Sequence, residues 1–369
     1  MAATTAFHCK DWLYFVLTGA RATDPLEARF TFGDWRGRAY DDEVIEALGL
    51  SALRGMLPPI VDGACSTHPL RPALAMRLGP PSGLSVVLGY LDVVCTAIGA
   101  GLGAGGAGVS VLGSTGMHMR LARSAADVAP NPEQTGCTMC LPLAAAWAEM
   151  QTDMAATLNI DWLVTLVAEV PALSGDARPE QEILAALDAQ VMAVRANGVL
   201  FHPFISTAGR RGQFMDADVR AFLFDIEQGL GLTRVARAIY EGLAFVAGYC
   251  FLAMGGAPAV VLVTGGAARS TAMRGILAAA LDPPVRTVAQ AEAGAAGAAM
   301  IAAVVLGLFT NVERAAEIWV APRLDPPEAP DPVLGPRYAA AFALYRESRR
   351  TVAPVWKGLV ALREMRHGA

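Results

Sequence analysis

The sequence has almost no lysine and no surplus of positive charge. Among its 369 residues only Lys10 and Lys357 are lysines, Lys and Arg together number 29 against 34 Asp and Glu, and the formal net charge is −5. Proteins that bind nucleic acid or an anionic membrane surface usually present a basic patch. The composition therefore argues against a nucleic-acid partner and against a membrane partner.

The sequence also has no disulfide framework, secretory signal or long apolar run. Its six cysteines are scattered, and the single CxxC at 137–140 has no second pair and no nearby His, which argues against zinc or redox use. The opening MAATTAFHCKDW lacks the apolar core of a signal peptide. The most apolar run, 293–309, is marginal for crossing a bilayer and predicts a buried helix. We therefore expect a cytoplasmic protein.

The chain is long and apolar enough for a large core. Hydrophobic residues make up 54% and charged residues 17%. The length suggests about two domains. Further helices are predicted over residues 10–18, 144–158, 161–170, 183–196, 233–256, 292–308 and 337–350, the last of them exposed. Residues 1–84 are expected to be mostly helix and loop, with fewer strands than a complete α/β domain needs.

One stretch, residues 82–123, organises the prediction. A β-branched run at 85–89 predicts a buried strand, and 91–102 predicts a helix that ends in glycine. A glycine-rich connector follows. Residues 108–121 then predict two strands joined by a tight turn at 113–116.

Two features of that stretch suggest chemistry. Asp92 lies where the predicted strand gives way to a helix, at the end of a strand where open α/β sheets place ligands. Gly113, Ser114, Thr115 and Gly116 would expose backbone N–H groups and two hydroxyls, which can bind phosphate. A carboxylate facing such a turn suits phosphoryl transfer to a hydroxyl. Two structural readings stay open: a helix cap for the aspartate and an ordinary hairpin for the turn.

The second half of the chain contains another glycine turn. The run AVVLVT leads into Gly265 and Gly266, and a helix follows from Ser270. This arrangement lets backbone approach a nucleotide, although a purely structural turn has the same pattern. The glycines of 292–297 are expected to serve close helix packing.

Several polar residues are given structural roles. His118 and His202 are expected to be packed or hydrogen-bonded within the fold. Arg210 is expected to pair with a carboxylate or with water. Asp216 and Asp218 are expected to shape their loop as Asx turns. No residue is assigned as a metal ligand.

Together these segments resemble the FGGY family of carbohydrate kinases, and they occur in the order typical of that family. The pair TGGAARS and EAGAAGAA is fairly specific, and the wording of GYLDVVCTAIGAGL is most similar to the subgroup that acts on erythritol-like tetritols. The matching segments are KDWLYFVLTG (10–19), TDPLEA (23–28), LDVVCTAIGAG (91–101), LGSTG (112–116), FHPFISTAGRRGQFMDADVRAFLF (201–224), IYEGLAF (239–245), TGGAARS (264–270) and EAGAAGAA (292–299).

The resemblance implies an α/β, actin/hexokinase-like (ribonuclease H-like) fold of two domains with a cleft between them. It implies transfer of the γ-phosphoryl group of ATP, helped by Mg²⁺, to a hydroxyl of a small sugar or polyol. In this sequence Asp92 falls on the family's catalytic base and 113–116 on the turn that holds the transferring phosphate. Gly265, Gly266 and Ser270 fall on the nucleotide-binding turn.

The sequence also departs from the family. The family's first segment, with its Asp-x-Gly-Thr phosphate hairpin, is expected to be missing. Residues 1–107 would then be the C-terminal part of an incomplete N-terminal (substrate) domain, and 108–369 the C-terminal (nucleotide-binding) domain. Asp225 stands where a glycine is usual. Because a lost phosphate clamp costs transition-state stabilisation, we expect weak or no activity from this chain alone.

Two other functions stay open at this point. A truncated, non-catalytic remnant, either a pseudokinase or a nucleotide-binding module, would share the same segments. Another actin-like ATPase is less favoured, because IYEGLAF with TGGAARS is typical of the carbohydrate kinases. A homodimer is left open, and so is the choice of sugar or polyol.

Overall fold

The fold is built around one mixed sheet with helices on both faces. The structure is a computed structural model, and it describes residues 4–129, 131–142, 146–173, 175–196, 198–290 and 292–365. The helices are α1 (Cys9–Thr18), α2 (Pro25–Phe32), α3 (Asp42–Ala47), α4 (Pro72–Leu78), α5 (Asp92–Gly99), α6 (Leu158–Ala172), α7 (Glu180–Val191), α8 (Leu232–Ala253), α9 (Thr271–Leu281), α10 (Ala293–Val305), α11 (Val312–Trp319) and α12 (Leu334–Met365). The strands are β1 (Gly33–Asp34), β2 (Ala39–Tyr40), β3 (Thr67–Pro69), β4 (Ser85–Val87), β5 (Gly108–Leu112), β6 (Gly116–Ala122), β7 (Cys137–Cys140), β8 (Trp147–Asp153), β9 (Leu200–His202), β10 (Arg210–Arg211), β11 (Met215–Asp216), β12 (Phe222–Phe224), β13 (Val261–Thr264) and β14 (Val285–Thr287).

The N-terminal part consists of short helices with two small antiparallel sheets, β1–β2 and β3–β4. Local signals set its helix ends: Gly19 ends α1 at φ 86°, and the Asp24 carboxylate accepts the Leu26 N–H at 2.8 Å to begin α2. Of the strand expected at 85–89, only residues 85–87 form a strand, which is β4. It is exposed to half-buried in a two-stranded sheet, so the expectation of a buried strand before Asp92 is wrong.

The central sheet has six strands in the order β14-β13-β5-β6-β8-β7. β14, β13 and β5 are parallel, and β6, β8 and β7 continue the sheet in antiparallel fashion. All four residues of β13 are buried, because helices cover both faces of the sheet. The hairpin predicted through 113–116 is confirmed as the β5–β6 connection.

Two hydrophobic clusters lie on opposite faces of this sheet. One joins α6, α7, α8, α9 and α12, and the other joins α5, α10 and α11. By length and composition α8 could cross a membrane, but 83% of its most apolar 18-residue stretch is buried inside the fold. That burial is the arrangement of a core helix.

One helix prediction is wrong, and another is right in its type but wrong in its length and exposure. Of the helix expected over 144–158, residues 144 and 145 lie outside the described residues, and most of the remainder forms β8. Alanine, glutamate, methionine and glutamine favour helix locally, but pairing with β6 and β7 on either side overrides that preference. The helix expected as exposed over 337–350 is the longer α12, which buries Tyr338, Tyr345 and Trp356.

The two histidines have the structural roles predicted for them. His118 Nδ1 lies 3.0 Å from Ser110 Oγ, and His202 Nε2 lies 2.9 Å from Ser348 Oγ. His202 also stacks on Tyr345, with ring centroids 4.0 Å apart. Burial lowers the pKa of each histidine to about 3, so both rings are neutral at pH 7.

Candidate active site

The two predicted glycine turns lie side by side at one edge of the central sheet. β5 and β13 are parallel neighbours, with Val111 opposite Thr264, so the residues after each strand leave the same edge. A Cβ added to Gly265 would lie 2.6 Å from the Leu112 carbonyl oxygen, which shows that the two backbones touch. The structure therefore brings the second turn against the start of the 113–116 turn, at the carboxyl ends of parallel strands.

The 113–116 turn is held from one side and open on the other. The Gly113 N–H donates to the Thr115 carbonyl oxygen at 3.1 Å. The N–H groups of Ala156 and Thr157 donate to the carbonyl oxygens of Ser114 and Gly113 at 2.8 and 2.9 Å. Ser114 and Thr115 are exposed. The segment just before α6 thus fixes the turn and leaves its exposed side accessible to a ligand.

The glycines of the two turns fall into two groups. Gly265 has φ 96° and Gly116 lies close to Asp153, where an added Cβ would be 3.0 Å from the aspartate Cβ, so the fold itself needs these glycines. An added Cβ would meet nothing within 4 Å at Gly266, and at Gly113 it would meet only the turn's own backbone at 3.7 Å. Neither of these two has a left-handed φ. The space beside them admits the close approach of a phosphate to backbone.

A cleft of about 390 Å³ opens beside the second turn. Asp188 accepts hydrogen bonds from Tyr240 Oη at 3.0 Å and from Ser270 Oγ. Ser270 Oγ also caps α9 by accepting the Met273 N–H at 2.9 Å. Burial, with the neighbouring Asp188 carboxylate, raises the pKa of Tyr240, so its hydroxyl stays a donor. This network fixes one wall of the cleft.

The remaining walls combine apolar side chains with a few polar groups. The apolar side is formed by Ile160, Leu184, Ala185, Ala267 and Met273. Asp161 lies at the polar side, where burial, then the Glu180 carboxylate, raises its pKa. Such a mixture is typical of pockets for small organic ligands and cofactors. The residues present thus fit the nucleoside of ATP, with the turn backbone available to its phosphates.

Sequence reasoning missed part of this cleft. Asp188 lies within a helix-forming run and gives no local signal of its own. Thr157 and Asp161 enter the cleft only because α6 begins beside the 113–116 turn. Tyr240 lies in the segment IYEGLAF, which carried the family resemblance without a role for this side chain.

Asp92 is the first residue of α5, and it is exposed. Its Oδ1 accepts the Val93 N–H at 2.7 Å, while Leu91 holds the N-cap position. Among the described residues, no recorded hydrogen bond or ion pair joins Asp92 to either glycine turn. The structure leaves this carboxylate accessible and shows no bond from it to either turn, so its role as base stays a prediction.

The described part of the chain contains no group of three or more His, Cys, Asp or Glu side chains that could hold a metal ion. Mg²⁺ in phosphoryl-transfer sites is usually held by one or two carboxylates together with substrate phosphates and water.

The Asx turn predicted at Asp216 is confirmed, since its Oδ1 accepts the Asp218 N–H at 2.9 Å.

Comparison with known proteins gives the family. The C-terminal domain profile of the FGGY family of carbohydrate kinases matches residues 99–306, and the N-terminal domain profile matches residues 2–99. Over 361 residues the chain is 46% identical to the erythritol kinase of Brucella abortus (strain 2308). The aligned region covers 97% of this chain and 69% of that protein. The chain belongs to the FGGY family of carbohydrate kinases. Membership in this family supports the assignment of the chain as a phosphotransferase.

More distant relatives and solved structures agree with this family. The xylulose kinase of Bacillus subtilis (strain 168) is 24% identical over 84% of this chain and 60% of its own length. The gluconate kinase structure from Lactobacillus acidophilus superposes with a TM-score of 0.85 at 19% identity, covering 96% of this chain and 69% of that one. The xylulose kinase structure from Rhodospirillum rubrum gives 0.82 at 21%, with the same coverage. The predicted actin/hexokinase-like α/β fold is confirmed.

The comparisons correct one expectation about this FGGY chain. Because the N-terminal domain profile matches from residue 2, the expectation that the N-terminal part of the family is missing is not borne out. The chain nevertheless spans 69% of the erythritol kinase and 60% of the xylulose kinase. A truncated, non-catalytic remnant is not favoured by these matches.

Proposed function

We propose that the protein transfers the γ-phosphoryl group of ATP to a hydroxyl of a small polyol of the erythritol class. The observation that carries this proposal is the pairing of two glycine turns, each with open space beside a glycine, next to a nucleoside-sized cleft. The 46% identity to an erythritol kinase supports the choice of substrate class. We further propose that the boundary between the N-terminal (substrate) domain and the C-terminal (nucleotide-binding) domain lies at residues 107/108. This is close to residue 99, where the two family profiles meet.

In this proposal the nucleoside binds beside Asp188 and Tyr240, and the phosphates extend along Gly266 towards the 113–116 turn. The Asp92 carboxylate accepts the proton of the attacking hydroxyl. The hydroxyl oxygen of the polyol then bonds to the γ-phosphorus. At the same time the bond between the γ-phosphorus and the β–γ bridging oxygen breaks, and ADP leaves. Bound Mg²⁺ would neutralise charge on the phosphates. Backbone N–H groups of the turn would stabilise the equatorial oxygens.

A panel assay tests the proposed function. ATP-dependent ADP release should be measured with erythritol, threitol, glycerol, xylitol and xylulose, with Mg²⁺ present or chelated. We expect the highest kcat/KM with a four-carbon polyol and little turnover after chelation. ATP binding without ADP release on any acceptor would instead support the non-catalytic remnant.

Replacing Gly266 by alanine should weaken ATP binding without unfolding the protein. Its new Cβ meets no protein atom within 4 Å but occupies the space through which phosphate approaches backbone. We expect about a tenfold loss of ATP affinity by calorimetry, equivalent to about 1.4 kcal/mol. The matched control is Gly265→Ala, which should lower Tm because of its φ of 96° and the contact with Leu112. Unchanged ATP affinity in a folded Gly266→Ala protein would argue against a phosphate path here.

A further inference from the structure

A buried ion pair lies beside the 113–116 turn. Asp153 ends β8 opposite Gly116, the last residue of the turn. The Arg210 guanidinium bonds to Asp153 Oδ1, and the two side chains are 1% and 3% exposed. Neither residue lines the nucleoside cleft, so the pair reaches no substrate atom through it.

The short segment after Asp153 connects this pair to the turn. Asp153 Oδ1 also accepts the Ala155 N–H at 3.3 Å. The next two N–H groups, of Ala156 and Thr157, are those that hold the carbonyl oxygens of the turn. A shift of the Asp153 carboxylate would therefore move the donors that fix the turn.

Arg210 is itself held firmly from the other side. Its Nε donates to Gln213 Oε1 at 3.1 Å, and its Nη2 lies 3.7 Å from Cys250 Sγ on α8. A Cβ added to Gly212 would lie 2.2 Å from the Thr152 carbonyl oxygen, so the 210–213 loop lies tight against the end of β8. The guanidinium thus ties α8 and this loop to the support of the turn.

Stability alone is a weak explanation for such a pair. Apolar residues of similar volume often stabilise a core as well as a buried ion pair or better, because both charges lose hydration. What the pair supplies is a fixed geometry, because a bonded guanidinium and carboxylate hold two loops at a set distance from each other. Phosphoryl transfer depends on such fixed geometry, and a misplacement of about 1 Å can cost about a hundredfold in rate.

We propose that Asp153 and Arg210 are positioning residues that hold the 113–116 turn in place for the transferring phosphate. This inference rests on the proposed kinase function. It predicts an effect on the γ-phosphate in particular, with little effect on the nucleoside or the polyol.

The test compares this pair with a second buried pair of the same chemistry. Arg237 Nε and Glu241 Oε1 lie 2.7 Å apart, with side chains 2% and 5% exposed, and Glu241 lines neither the cleft nor the turn. The variants are Asp153→Asn, Arg210→Lys and the control Glu241→Gln. Each is assayed for Tm, kcat, polyol KM, and the affinity ratio between a non-hydrolysable ATP analogue and ADP.

For Asp153→Asn and Arg210→Lys we expect kcat to fall at least about tenfold, polyol KM to change less than about threefold, and the analogue-to-ADP affinity ratio to fall. Glu241→Gln should lower Tm while keeping kcat and the ratio. If a single variant fails to fold, the double variant Asp153→Asn/Arg210→Gln leaves no unpaired buried charge and is measured instead, with the same expected losses.

Wild-type kcat and affinity ratio in a folded Asp153 or Arg210 variant would overturn the inference. So would losses equal to those of Glu241→Gln at the same change in Tm. Absence of turnover in the unmutated protein would contradict the proposed function instead, and the affinity ratio would still test the positioning role, because it requires binding alone.

Discussion

Asp92→Asn is expected to reduce kcat by about 10²- to 10⁴-fold, the usual contribution of a general base. Asparagine has nearly the same shape, and its amide oxygen can still accept the Val93 N–H that Asp92 Oδ1 accepts now. It cannot take a proton from an attacking hydroxyl. The folded structure and the ATP affinity should therefore stay close to those of the unmutated protein while turnover is lost.

Asp42→Asn is the matched control for this substitution. Asp42 is the first residue of α3, as Asp92 is of α5; its side chain is 78% exposed and accepts a hydrogen bond from Arg54 Nε at 2.7 Å, an exposed ion pair worth about 0–1 kcal/mol. Each carboxylate interacts with a helix N-terminus by roughly 0.3–1 kcal/mol, so both substitutions should change Tm by similar small amounts. Initial rates of ADP release and thermal unfolding are measured for both proteins. A kcat for Asp92→Asn within about threefold of that for Asp42→Asn would remove Asp92 from the role of base.

The parts of the site that the sequence could predict are those set by local chemistry. Glycines between β-branched runs predicted the turns at 113–116 and 265–266, and both are present. Their contact could not be read locally, since it depends on Val111 pairing with Thr264 across the parallel sheet. Sequence order alone does not say which strands become neighbours.

The parts that could not be predicted depend on distant partners. Asp188 becomes a cleft residue only because Tyr240 and Ser270 reach it from α8 and the start of α9. β8 became a strand against its own helix preference because two other strands pair with it. The departure at Asp225 does have a local explanation, since its φ of 63° is one that Asp tolerates better than most residues other than glycine.

The packing expected for the glycines of 292–297 is confirmed at the crossing of α5 and α10. A Cβ added to Gly297 would lie 1.8 Å from the Cys95 carbonyl oxygen. A Cβ added to Gly99 would lie equally close, at 1.8 Å, to the Ala293 carbonyl oxygen. The two helices therefore contact each other through backbone at both positions, and no side-chain rotation can make room there.

Gly297→Ala should consequently destabilise the protein, although alanine is the better helix former. Alanine normally gains about 1 kcal/mol over glycine inside a helix. Here the helices must separate, and overpacking of this kind costs about 1–3 kcal/mol or more. The control is Gly294→Ala in the same helix, whose Cβ would meet only Thr96 Oγ1 at 3.2 Å. Urea denaturation of both variants gives the comparison, and equal free energies of unfolding would contradict the proposed crossing.

The same substitution should also affect catalysis in the protein that remains folded. α5 begins with Asp92, and its contact with α10 connects that carboxylate to the sheet from which both glycine turns emerge. Separating the helices would displace the proposed base from the transferring phosphate. The nucleoside cleft, formed by α6, α7, α8 and α9, should keep its shape. At a temperature where Gly297→Ala is fully folded, we therefore expect reduced kcat with ATP affinity retained; a kcat equal to that of Gly294→Ala would show that the crossing does not position Asp92.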